Sequence, residues 1–135
     1  MDISYYEAFF HDGELKNIEH KNDSIVLTMC SSKTDCDDVV DKHIELAQDP
    51  ITWIKGKLHI EEVERITISE KPFHKKLKMF YDDAEIFKLK IEKRRVEICI
   101  KWTDFPPKPR KSDFSVIQIQ AKKIYWENLP ELPWD

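Results

Sequence analysis

Residues 85–102, EIFKLKIEKRRVEICIKW, restrict the possible folds of this chain more than any other stretch. Phe87, Leu89 and Ile91 alternate with Lys88 and Lys90. Val96, Ile98, Ile100 and Trp102 alternate with Glu97 and Lys101. A strand with one apolar and one wet face requires this period of two, because successive side chains point to opposite sides. Glu92-Lys93-Arg94 makes the turn, and the stretch is a hairpin of an antiparallel sheet.

Other segments repeat the pattern. In residues 14–30, Ile25, Leu27 and Met29 alternate with Val26, Thr28 and Cys30, and Asn22-Asp23 provides a tight turn. Across residues 51–69, Leu58 and Ile60 alternate, then the phase slips by one residue before Val63, Ile66 and Ile68. That slip predicts a bulge around Glu61-Glu62. The proline-rich TDFPPKPRKSD breaks the ladder. A last strand follows, with Ile117 and Ile119 alternating against Gln118 and Gln120.

Helical spacing is sparser. Residues 31–50 place Val40, Ile44 and Ala47 on one face, with Thr34 three before Asp37 as a loose capping box and Pro50 as the stop. This predicts an acidic helix of about three turns. Residues 3–10 suggest a short, partly helical lead-in, and the basic connection at residues 70–84 has room for one helical turn at its centre. The expectation is a single α+β domain spanning residues 1–135. Its antiparallel sheet is curved or sandwich-like and mostly hairpin-connected, with one or two short helices.

The totals exclude several function classes. A net charge of −4 argues against general nucleic-acid binding, which needs a basic surface to neutralise phosphates. Glycine occurs only at Gly13 and Gly56, so phosphate-cradling loops of the P-loop or dinucleotide type are excluded. Three cysteines leave an odd one. MDISYYEAFF lacks a basic leader region, and no apolar run is long enough to cross a bilayer. Together these imply a reducing, cytoplasmic setting and no membrane partner.

Several clusters invite a chemical reading. His11-Asp12 is a metal-binding dipeptide in some phosphohydrolases, but those enzymes are helical and carry further ligands. Strand-entry polarity before Gly13 is the simpler account. Asp82, Asp83 and Glu85 offer paired carboxylates for acid–base work or Mg²⁺, set against an ordinary solvated turn. A small metal-assisted hydrolase using both clusters is the alternative reading, and it requires them to converge in space. Cys30, Cys36 and His43 have no recognised zinc spacing, and the acids around Cys36 disfavour a thiolate. Phe73 to Phe80 interleaves His74, Lys75, Lys76 and Lys78 with aromatics, as single-stranded nucleic-acid sites do, although with so few charges on a net acidic chain a solvated connection is the simpler account. Pro106, Pro109 and Lys111 are spaced like an SH3 ligand inside what reads as a folded-domain loop.

The acidic run Asp35, Asp37, Asp38, Asp41, Glu45 and Asp49 is opposed only by Lys42, and such a surface can steer a basic protein partner. Trp126 and Trp134 in the C-terminal segment suit either packing over a sheet edge or a protein contact. The stretch FFHDGELKNIEHKNDSIVLTM, residues 9–29, resembles the start of small uncharacterised bacterial proteins. Some of these are grouped with immunity proteins that neutralise toxins of neighbouring bacteria. The resemblance implies an all-β or α+β cytoplasmic protein that acts by binding, with no catalytic residues. The reading is therefore a non-enzymatic protein-binding module without a cofactor, its contacts placed at Asp35, Asp37, Asp38, Asp41, Glu45, Trp126 and Trp134.

Overall fold

The structure, a computed structural model, describes residues 13–32, 53–108 and 112–129. Seven antiparallel strands build it: β1 (Glu14–Lys21), β2 (Ser24–Ser32), β3 (Trp53–Ile68), β4 (Lys71–Pro72), β5 (Asp83–Ile91), β6 (Arg95–Thr103) and β7 (Ser112–Asn128). Their order is β2-β1-β5-β6-β7-β3-β4, and β2 also pairs with β3. Six strands thus close into a barrel, and the two-residue β4 is appended to the end of β3.

The described residues form an all-β closed barrel, which corrects the expected α+β domain with a curved or sandwich-like sheet. The eight rungs from Ile25↔Ile60 to Ser32↔Trp53 join the first hairpin to β3, a long-range pairing that alternation along the chain does not reveal. Pairing the outermost strands with each other removes edges that would otherwise template aggregation. No helix occurs among the described residues. The helix expected within residues 31–50 and the lead-in at residues 3–10 lie outside the described residues, apart from Ser31 and Ser32, which end β2. The helical turn expected within residues 70–84 is absent, since residues 73–82 form an irregular connection.

The barrel interior is filled by the alternating residues. On β6, Val96, Ile98, Ile100 and Trp102 are at most 1% exposed, each burial contributing about 1.5–3 kcal/mol. Ile25, Leu27 and Met29 from β2, Leu58 and Ile60 from β3, and Ile117 and Ile119 from β7 meet them. A six-stranded barrel is narrow enough for side chains to occupy it completely. The one polar atom of Trp102 is satisfied inside, its Nε1–H donating to Ser115 Oγ at 3.0 Å.

Two of the wall's irregularities lie beside the first hairpin. Glu62 has a φ of 55°, and the β3–β7 register shifts between Val63 and Arg65. This is close to the expected Glu61-Glu62 bulge, and it marks where β3 leaves β2 and runs on towards β4. The second lies at the β1–β5 seam, where Glu14↔Glu85 is the one ladder pair, supported by Ile86 N–H donating to Gly13 O at 2.8 Å. Further along β1 the connection at residues 73–82 comes alongside. Leu77 is buried there, and its N–H donates to His20 Nδ1 at 2.8 Å.

Candidate functional site

On β5 the structure corrects the face assignment. The β5–β6 register shifts between Ile86 and Lys88, so Ile86 is inside the barrel together with Leu89 and Ile91. Phe87, at the bulge, is displaced from the apolar face that simple alternation assigns to it. Its ring meets Phe114 of β7 with centroids 5.5 Å apart and planes tilted by 31°. Between them on β6, Lys101 is opposite Phe114 and Cys99 is opposite Val116. Phe114 is 59% exposed and Val116 is 37% exposed, on a face whose inward neighbours Ile117 and Ile119 are fully buried. The result is an apolar patch across β5, β6 and β7, made from side chains that have no place in the filled interior.

The rim of this patch is charged and ordered. Gln118 Nε2–H donates to Glu97 Oε1 at 2.7 Å, and Thr67 Oγ1–H donates to Gln118 Oε1 at 3.3 Å. The Gln118 hydrogen bond holds the Glu97 carboxyl below the ordinary carboxylate range, against a smaller opposing effect of burial, with Lys88 and Arg95 assisting. Arg95 stands 3.5 Å from the same carboxylate.

A second outer-wall cluster lies on β3 and β7. The His59 and Tyr125 rings stack with centroids 4.6 Å apart, and His59 Nε2 is 2.8 Å from Glu127 Oε1. Tyr125 O–H donates to Glu61 Oε2 at 3.0 Å, which raises the phenol's pKa. These cross-strand pairs follow from the register Glu61↔Lys123, His59↔Tyr125 and Lys57↔Glu127.

Of the residues singled out from the sequence, only some fall within the described residues. His11, Asp12, Asp35, Asp37, Asp38, Asp41, Glu45, Cys36, His43 and Trp134 lie outside the described residues, as do Pro109 and Lys111. Trp126 packs half-buried against the core, its indole lying over Gly56. Asp82 clamps the start of β5 to the proline-rich loop. Its carboxylate accepts from Lys108 Nζ at 2.8 Å and from Phe105 N–H at 2.9 Å, and the Lys108 bond is the main cause of its lowered pKa. Asp83 and Glu85 pair instead with Thr103 and Lys101 on β6. Among the described residues, no three His, Cys, Asp or Glu side chains are grouped so as to hold a metal ion. Cys30 is 2% exposed, and burial pushes its thiol up to about 11.

The basic segment does gain neighbours. His74 and Lys75 line a cleft with His20 and Asn22 of the first hairpin, an association between residues more than fifty positions apart that spacing alone does not reveal. Comparisons with protein families, with curated proteins and with solved structures find no match.

Proposed function

We propose that this chain is a non-enzymatic binding module that engages a protein partner through the outer wall of its barrel. The supporting observation is the exposed Phe114 and Val116, with the half-buried Phe87 ring against Phe114, on a barrel whose interior is already filled by its own side chains. Aromatic side chains surrounded by ordered polar groups are the composition of a protein-contact surface. The acidic run Asp35, Asp37, Asp38, Asp41 and Glu45 adds long-range attraction for a basic partner, and Trp126 and Trp134 belong to the same reading. The mechanism is occlusion, in which charge speeds the encounter and apolar burial holds the complex. A reducing, cytoplasmic setting suits the odd cysteine count. The immunity-like resemblance fits this mode of action without naming a toxin.

The test captures a partner from the source cell, identifies it, and titrates the purified pair. Phe114→Ser should weaken binding at least about tenfold through faster dissociation, because truncating a central aromatic anchor costs 2 kcal/mol or more. Changing Asp37, Asp38 and Asp41 to Asn should slow association and flatten its salt dependence. A partner indifferent to both changes, or no reproducible partner, would overturn the proposal.

A further inference from the structure

The cleft beside the first hairpin has a volume of about 350 Å³, in the size range of small-ligand sites. Its walls are the β1–β2 turn, the kinked part of β3 and the start of the connection after β4. Arg65 and Lys75 bring two full positive charges to it, and neither forms an ion pair among the described residues. Lys21 and Lys76 border the adjoining hollow, which shares His20, Asn22, His74 and Lys75 with the cleft. Among the described residues, only Asp23 and Glu64 stand against these four cations, on a chain whose overall charge is −4.

His20 is oriented in advance. Its Nδ1 accepts the Leu77 N–H at 2.8 Å, so in the neutral ring the proton resides on Nε2, which becomes a donor. Leu77 is buried in the core, so the backbone holding the ring is itself fixed. Phe73 and Pro72 give the cleft an apolar side. Cationic groups, a fixed imidazole donor and an amide in one concavity are suited to the oxygens of a phosphoryl group. The two carboxylates can accept from hydroxyl or amino groups of the same molecule.

We propose that this cleft binds a small phosphorylated molecule carrying hydroxyl or amino donors, such as a nucleoside monophosphate. Arg65 and Lys75 neutralise the phosphate, His20 and Asn22 donate to it, and Phe73 offers a face for stacking. The site is separate from the aromatic patch and does not depend on the protein partner.

The test follows the histidine ring signals of the full chain by NMR during titration with inorganic phosphate, adenosine monophosphate and a ten-residue oligothymidylate. His20 and His74 should shift saturably with adenosine monophosphate and more weakly with phosphate, while His59, in the His59–Tyr125 stack on the outer wall, stays unchanged. Arg65→Gln with Lys75→Gln should weaken that response at least about tenfold, as expected for loss of charge-assisted hydrogen bonds, without moving the His59 signal. Absence of a saturable response would overturn the proposal, as would equal shifts at His59 or a response unaffected by the double change. Saturation by oligothymidylate alone would overturn it in favour of a nucleic-acid groove.

Discussion

Gly56 is the position where one added methyl group should do most damage. It faces Asn128 across the β3–β7 ladder, and Trp126 lies over it. A Cβ at Gly56 would fall 2.6 Å from an indole carbon of Trp126 and well inside contact distance of the Glu127 carbonyl oxygen. The indole can swing away, but the carbonyl belongs to the ladder and cannot. Overpacking of this kind costs about 1–3 kcal/mol. Displacing Trp126 adds about 2 kcal/mol, half of what truncating a fully buried aromatic costs, because the side chain is only half-buried. Gly56→Ala should therefore destabilise the protein by about 3–5 kcal/mol and lower Tm by about 10–20 °C for a domain of this size. Urea unfolding of wild type, Gly56→Ala, Trp126→Ala and the double variant, read by circular dichroism, forms a cycle that isolates the contact. In the Trp126→Ala background the glycine penalty should fall without vanishing, since the carbonyl clash remains. A Gly56→Ala protein within about 0.5 kcal/mol of wild type would refute the packing argument. An identical penalty in both backgrounds would assign the whole effect to the backbone.

Two further outcomes are expected. The Glu97 carboxyl is lowered chiefly by Gln118, so its contribution is present above the unfolded value near about pH 4.3 and is lost as pH falls through the folded value. Gln118→Leu should thus destabilise the protein more at pH 7 than at pH 3 in urea titrations, and a gap independent of pH would contradict the assignment. The Cys30 thiol, pushed up to about 11, leaves roughly one thiolate in a thousand at pH 8. Native protein treated with a thiol reagent at pH 8 and mapped by mass spectrometry should leave Cys30 unmodified until urea is added. Prompt native labelling would show that the residue is accessible.

Much of the local structure was legible in the chain. The Asn22-Asp23 turn is present, with Asn22 at a φ of 57°. The alternation at Val96, Ile98, Ile100 and Trp102 marks the buried face of β6, and the phase slip near Glu61-Glu62 marks the kink in β3. Each depends on neighbours in sequence, and a short window contains the necessary information. Phe87 shows the limit of such windows. Its alternation with Leu89 and Ile91 placed it inside, but the bulge against β6 displaced it, and a bulge is a property of two strands.

The candidate sites were less legible for the same reason. Asp82 looks like part of a carboxylate cluster until the fold brings Lys108 and the Phe105 N–H to it. His74 and Lys75 look like a solvated connection until β1 and β3 deliver His20 and Arg65 to the same cleft. Sequence by itself determined strand propensity, turn chemistry and the apolar side of most strands, because those follow from backbone geometry and the period of two. Only the tertiary structure decided that β2 returns to β3 and closes a barrel. A small closed barrel has no room inside for more side chains, so the aromatics and charges left over are sorted onto its outer wall.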